Sequence, residues 1–335
     1  MITGASTADL AVILIDARQG VLTQTRRHSY LVQLVGIEHV VLAVNKMDLV
    51  GYSEDTFKQI CADYTEFASG IGIDSFTAIP ISGLAGDNIT QVSENTPWYK
   101  GQALLDHLEN VDLVVTRDQE KSFRMAVQWV NRPNLDFRGF SGQIATGTVK
   151  VGDTVRVVPS GKTSSIERIV TMSGDLTEAV AGQSVTLTLT DEIDCSRGDV
   201  LATAEDAPEV ADQFEATIVW MDDEPLLPGR SYWLKIGTQM VSAHVQPPKY
   251  QVNVNNMEHL AVKTLELNGI GVAEVATDKP IVFEPYDLNR EMGGFILIDK
   301  ITNATIAAGM LHFSLRRSKN VHWQAIEVED RKSVV

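Results

Sequence analysis

Cysteine is almost missing from this chain. Cys61 and Cys195 are its 2 thiols among 335 residues, and no Cys-x-x-Cys pair occurs. That excludes a disulfide framework and the common cysteine zinc sites, and it fits a reducing, cytoplasmic setting. Both thiols read as small core hydrophobes. Long apolar runs are also absent: none reaches the ~20 residues that span a bilayer, and no basic segment leads an apolar stretch in signal-peptide form. Positive charge is in deficit, with 44 Asp and Glu against 28 Lys and Arg, for a net charge of -16. Such a field repels phosphate backbones and anionic lipid, so neither nucleic acid nor membrane is an expected partner. What remains is a packed globular chain, 44% hydrophobic and 21% charged, long enough for two or three domains.

One further absence concerns chemistry. A nucleotide triphosphatase cradles phosphates with Gly-x-x-x-x-Gly-Lys-Ser/Thr, whose Lys and Ser/Thr serve the phosphates and magnesium. Gly161-Lys162-Thr163 is the nearest approach, but Arg156 stands where the first Gly is needed. Val155 to Lys162 reads instead as a strand running into a Pro-Ser-Gly hairpin turn. Asp136-Phe137-Arg138-Gly139 imitates an Asp-x-x-Gly switch, yet sits in a polar loop with no buried strand before it. No catalytic residue and no metal ligand is assigned.

What is present points to a base rather than to phosphates. The run His39-Val40-Val41-Leu42-Ala43-Val44 is short and β-branched with no helical period, as in a buried parallel strand. It ends in Asn45-Lys46-Met47-Asp48. A fixed carboxylate accepts both N1–H and the exocyclic N2–H₂ of guanine, a pairing adenine does not offer. Asn45 suits the loop and N7, and the Lys46 stem suits a ring face. Taken alone, four residues fit a solvated strand-to-helix loop equally well. A second strand, Ser75 to Ile81, ends in Ser82-Gly83-Leu84, where a backbone N–H suits guanine O6 and Ser82 tightens the turn. Open α/β sheets bind ligands in this crevice beyond the strand ends.

Around these motifs, residues 1–112 alternate strand and helix. Leu10 to Asp16 reads as a buried strand. Thr23 is expected to cap a helix running to Val35, with Gly36 as its stop. Ser53 is expected to cap the next, with Phe57, Ile60, Cys61, Tyr64 and Phe67 on one face and Gly70 ending it. Ala103 to Leu108 suggests a last short helix. Three strands make a small sheet with an exposed edge. From about residue 117 the period changes to two, with Gly-rich turns, which means β-barrels or sandwiches. Expected strands are Arg124–Val130, Gly142–Val149, Thr154–Val158 and Ser184–Leu189. After a junction near Ala207-Pro208 come Phe214–Trp220, Ser231–Ile236, Gln239–Val245, Gly271–Thr277, Gly294–Asp299 and Ala307–Leu315. The expected domains are 1–112, 117–206 and 208–330.

These residues resemble known families. Residues 1–110 are similar to the second half of the GTP-binding domain of translation-factor-type GTPases. Arg138-Gly139-Phe140-Ser141-Gly142, Val151-Gly152-Asp153 and Ser196-Arg197-Gly198-Asp199-Val200 resemble the barrel that follows it. Within that superfamily the chain resembles the large, GTP-binding subunit of sulfate adenylyltransferase. The resemblance rests on Thr3 to Asp9, Asp16 to His28, Asn289 to Asp299 and Asn320 to Gln324. It implies a multidomain α/β plus all-β fold: the C-terminal part of a P-loop GTPase domain, then two translation-factor-like β-barrels. It implies GTP as ligand, with Mg2+ expected only in a full-length protein. It also implies a small catalytic subunit as partner, a nucleotidyltransferase that makes adenylylsulfate from ATP and sulfate in sulfate assimilation. Only Asn45, Lys46, Asp48 and Ser82-Gly83-Leu84 carry over as guanine-binding residues. The family's phosphate loop, switch segment and Asp-x-Pro-Gly motif have no matching positions, so the chain is expected to be N-terminally truncated and inactive alone. No second phosphate loop is seen before Val335, so a fused kinase activity is not expected. The alternatives are a translation elongation factor-like GTPase and a non-catalytic scaffold for the small subunit.

Three other features have plainer readings. His28 is expected to be a surface or partner-contact histidine rather than a nucleotide sensor. Trp220, Trp233 and Trp323 read as core or interface packing. Arg316-Arg317-Ser318-Lys319 reads as a solvated charge cluster.

Overall fold

The computed structural model describes residues 2–5, 8–112, 118–134 and 137–315. Asp136, the 316–319 charge cluster, Trp323 and the Asn320–Gln324 stretch lie outside the described residues, as do Ser6 and Thr7.

The first unit runs α1 Ile2–Ala5, β1 Leu10–Asp16, α2 Thr23–Leu34, β2 His39–Asn45, a 3-10 turn Met47–Val50, α3 Glu54–Gly70, β3 Thr77–Pro80 and α4 Leu104–Asn110. The strands form one parallel sheet in the order β1-β2-β3. The central β2 is buried from Val40 to Val44, as its unbroken apolar run requires. β1 lies at the edge, and its Leu14 is 60% exposed. Ser53 caps α3, its side chain accepting from the Thr56 N–H at 3.2 Å. Ile60, Tyr64 and Phe67 form the buried face of α3, and the Tyr64 hydroxyl meets Ser29 Oγ of α2 at 3.0 Å.

One expected helix end differs. Leu22, not Thr23, occupies the N-cap of α2, with no side-chain cap bond, and Thr23 is already helical. Gly70 ends α3 as expected, and Gly72 takes the left-handed turn at φ 81°. Cap chemistry is local, and a helix shifts by a residue or two to seat its buried face.

The second unit comprises β4 Arg124–Ala126, β5 Trp129–Asn131, β6 Gly139–Thr146, β7 Thr148–Lys150, β8 Thr154–Val158, β9 Thr163–Thr171, β10 Gly174–Leu176, β11 Glu178–Val180, β12 Ser184–Leu189 and β13 Val200–Thr203. The path β9-β12-β6-β4-β13-β8 closes on itself through the β8–β9 pairing, which makes a barrel. Two expected strands are split. Arg124–Val130 breaks after Ala126 into β4 and β5, and both pair with the long β6. Gly142–Val149 breaks at Gly147, φ 78°, where β7 leaves to pair with β11. A Cβ at Gly147 would lie 2.5 Å from the Phe123 backbone, so only glycine fits that crossing. β9, which no alternation had marked, hairpins back onto β8 through Gly161.

The third unit holds β14 Glu209–Trp220, β15 Ser231–Ile236, β16 Gln239–Val245, β17 Tyr250–Val252, β18 His259–Leu260, β19 Ile270–Phe283, α5 Arg290–Gly293, β20 Gly294–Ile298 and β21 Thr305–Ser314. Here β14-β21-β20-β15-β16-β19 closes through the β14–β19 pairing. Trp220 is buried in this barrel's core, with its ring N–H donating to the Glu224 carbonyl at 2.7 Å. Trp233 is half-buried, with the Lys300 ammonium 4.3 Å from its ring centroid.

The units pack together. Val219, Val254, Ile270 and Met310 of the third unit join the apolar core beneath α2 and α3. Tyr286 donates its hydroxyl to the Val35 carbonyl at the end of α2, and Arg290 donates to the Gly36 carbonyl. Between the barrels, Val158, Val200 and Ala202 meet Val282 and Met292. Beside them Arg124, 3% exposed, pairs with Glu284 at 2.8 Å and Asp206 at 3.1 Å. Among the described residues no helix is long and apolar enough to cross a membrane.

Candidate guanine-nucleotide site

Strand register brings the candidate residues together. Asp16 of β1 stands beside Asn45 of β2, and Val44 beside Pro80 of β3. The loops after all three strands therefore open at one edge of the sheet. Backbone bonds lace them together: Ala17 N–H to the Asn45 carbonyl at 2.8 Å, Ile81 N–H to Val44 at 2.8 Å and Met47 N–H to Ile81 at 3.2 Å. Lys46 takes a left-handed backbone, φ 64°, which turns the chain sharply off β2 into the 3-10 turn carrying Asp48.

Asn45 Oδ1 accepts two N–H groups, Lys46 at 2.7 Å and Gly83 at 2.9 Å. Two donors on one atom fix the amide orientation, so Nδ2 faces away and remains a donor for a ligand. Asp48 is half-buried, and its Oδ1 accepts from Ser82 Oγ at 2.7 Å. Ser82 is buried, and its oxygen in turn accepts the Ala85 N–H at 3.1 Å, which directs the hydroxyl hydrogen onto Asp48. The carboxylate is thus held in one orientation with Oδ2 left to accept. The Gly83 N–H belongs to Asn45, and the neighbouring Leu84 is 92% exposed. All six sequence-derived residues, Asn45, Lys46, Asp48, Ser82, Gly83 and Leu84, thus meet in two adjoining loops.

Sequence reasoning missed the anchor of Lys46. The ammonium donates to Asp16 Oδ2 at 2.9 Å, stretching the Lys46 stem from the end of β2 to the end of β1. Arg18 grips the same carboxylate with Nε at 3.0 Å and a terminal nitrogen at 2.6 Å. These bonds, Arg18 first and Lys46 second, hold the Asp16 carboxyl far below the ordinary range. The one signal available in sequence was that Asp16 also ends an apolar strand.

Other features stay outside the site. Gly161-Lys162-Thr163 forms the β8–β9 hairpin turn, with Lys162 paired to Asp194 at 3.2 Å. Gly139 of the imitation switch opens β6. His28, on α2, lines an apolar cleft of about 570 Å³ against the outer edge of β1, and burial pushes its imidazole below the ordinary value. Among the described residues no cluster of His, Cys, Asp or Glu is arranged for a metal.

Family models match three segments of the chain. Residues 1–115 match the family model "Elongation factor Tu GTP binding domain", 141–202 "Elongation factor Tu domain 2" and 213–312 "GTP-eEF1A C-terminal domain-like". Sulfate adenylyltransferase subunit 1 of Saccharophagus degradans is 48% identical over 331 residues, covering 98% of this chain and 70% of that protein. The chain belongs to the sulfate adenylyltransferase subunit 1 family. The bifunctional enzyme NodQ of Rhizobium meliloti is 53% identical over 328 residues, 98% of this chain. This family member spans 51% of the length of that NodQ protein, about half. Its fold is that of the translation-factor GTPases: the structure of Sup35 complexed with GDP aligns with TM-score 0.56 at 24% identity, covering 94% of this chain and 81% of that one.

Proposed function

We propose that the protein is the GTP-binding regulatory subunit of a sulfate adenylyltransferase. In this reading a small catalytic subunit joins ATP and sulfate to give adenylylsulfate and pyrophosphate, and GTP hydrolysis drives that unfavourable step. The observation that carries the guanine assignment is the Asp48 carboxylate, fixed by Ser82 and flanked by the outward amide of Asn45. Asp48 accepts N1–H and N2–H₂ of the base, Asn45 Nδ2 donates to N7, and the Lys46 stem covers a ring face. A backbone N–H of the Ser82–Leu84 loop donates to O6. Adenine, with an acceptor at N1, meets a carboxylate there and is rejected.

The supporting geometry for coupling is α2. It follows the Asp16–Arg18 loop at one end, and at the other its Val35 and Gly36 carbonyls are held by Tyr286 and Arg290 of the third unit. Arg26, on its first turn, donates to the Asn255 carbonyl at 2.7 Å. A shift at the strand-end loops is therefore passed to the barrel as a rigid-body change. The 335 residues contain no phosphate-loop sequence, and phosphate contacts normally supply much of the affinity and all of the hydrolysis. The isolated polypeptide is accordingly proposed to bind GDP weakly and to have no GTPase activity of its own.

The deciding experiment measures adenylylsulfate formation by the small subunit with the complete gene product, with and without GTP. GTP-dependent stimulation that is lost in Asp48→Ala is the expected result. Equal rates with and without GTP would refute the assignment.

A further inference from the structure

The loop after β3 contains a carboxylate that none of the base contacts uses. Asp87 is half-buried, and the groups it accepts from are all uncharged. Its Oδ2 takes the Tyr52 hydroxyl at 2.7 Å, and its Oδ1 takes Ser93 Oγ at 2.6 Å and Asn95 Nδ2 at 3.0 Å. Its backbone carbonyl takes the Ser82 N–H at 3.2 Å, forming an isolated bridge with the serine that holds Asp48. Tyr52 closes the other loop: its N–H donates to the Met47 carbonyl at 2.8 Å, and it sits left-handed at φ 54°. Such a backbone is unfavourable for a non-glycine residue and persists only when its surroundings hold it. Here they do. Trp98 donates its ring N–H to the Tyr52 carbonyl at 3.0 Å and packs against Phe57 of α3. Asn88, fully buried beside Asp87, ties the same segment to the Pro80 carbonyl at 2.6 Å and to Thr96 at 2.9 Å.

Asp87 thus joins the two base-reading loops twice. Through its side chain it holds the far end of the Asp48 turn, and through its backbone it holds Ser82. We propose that Asp87, with Tyr52, is a positioning residue that sets the Asp48 carboxylate against the Ser82 loop and thereby determines selectivity for the 2-amino group of guanine. The inference rests on the guanine reading of the site. It assigns the discrimination to a bond network one layer behind the residues that would touch the base. Ser82 orients the carboxylate itself, but not the position of the turn that carries Asp48 relative to the Ser82 loop. With the turn anchored at Tyr52, the second carboxylate oxygen stays where the exocyclic amine arrives.

The test compares dissociation constants for GDP and IDP in the complete gene product. Inosine lacks the 2-amino group, so the ratio of the two constants reports how well Asp48 reads that group, while a general loss of fold lowers both affinities together. Asp87→Ala is expected to weaken GDP binding about tenfold and IDP binding much less, so that the ratio falls. Tyr52→Phe removes a single hydrogen bond with little risk to folding, and it is expected to move the ratio the same way by a smaller factor. A ratio unchanged in both variants would overturn the role of Asp87. If the unmodified protein does not prefer GDP to ADP, the guanine reading itself fails and the inference falls with it. That result is read before any variant is made, so the two failures are distinguishable.

Discussion

Ser82 and Asp48 stand 34 positions apart in the chain and share a 2.7 Å hydrogen bond that makes two loops into one site. The serine is fully buried, accepts from Ala85 and donates to the carboxylate. Ser82→Ala should leave the fold intact but free the carboxylate to rotate and strand the Ala85 N–H. In the complete gene product a loss of about 1–2 kcal/mol in GDP binding, roughly five- to thirtyfold, is expected by isothermal calorimetry. Unchanged affinity would mean that Asp48 is oriented by something else.

Asp48→Asn replaces one acceptor with a donor at the position that faces the 2-substituent of the purine. Xanthine carries a carbonyl there, which accepts from the new amide, while guanine presents an amine to an amine. The variant should lose guanine nucleotide binding and gain xanthine nucleotide binding. The check is a competition assay between GDP and XDP, and retained guanine preference would remove Asp48 from the base site.

The Asp16 carboxyl sets a pH dependence. Its folded value is depressed by Arg18 and Lys46, so the charged form is the one the fold favours. The contribution is complete above the unfolded value of about 4 and is lost as pH falls through the lower folded value. The Arg18 Nε–H proton resonance should therefore hold steady from pH 7 to about 4 and move only in stronger acid. Asp16→Asn should reproduce the acid spectrum at neutral pH. Movement between pH 7 and 5 would show that Arg18 is gripped by some other group.

Arg124 joins the barrels. It is nearly sealed from solvent between Glu284 and Asp206. Arg124→Ala leaves Glu284 with the Asn289 side chain, which donates at 2.9 Å, as its remaining partner. The expected cost is about 2–3 kcal/mol in urea unfolding, below the full figure for a buried pair because Glu284 keeps that bond and some water. An unchanged unfolding midpoint would show that the apolar contacts of Val158, Val200, Val282 and Met292 suffice by themselves.

The thiols should be inert. Burial pushes Cys61 up to about 11 and Cys195 up to about 12. At pH 8 almost none of either is thiolate, the reactive form. Iodoacetamide should leave both unmodified in the native protein while labelling both in urea, as read by mass spectrometry. Native labelling of Cys195 would show that the second unit opens on the labelling timescale.

Much of the molecule was written into local pattern. The unbroken apolar run of β2 demanded a strand covered on both faces. The change of period near residue 117 demanded sheets without helices. The proposed base contacts Asn45, Asp48 and Ser82 stood out in the sequence because each sits where such a strand must end, carrying the atoms a purine edge needs. Barrel closure was not legible, since nothing local says that β4 meets β13 or that β14 meets β19. The break at Gly147 came from the close approach of the Phe123 backbone, which no local pattern announces. The bonds around the site were equally hidden. Lys46 finds Asp16 at a separation of 30 residues and Tyr52 finds Asp87 at 35. Residue types alone supplied the donors and acceptors of the proposed base contacts, because hydrogen-bonding character belongs to the residue. Tertiary structure decided how those side chains are aimed, because orientation depends on partners that only strand register and loop packing bring within reach.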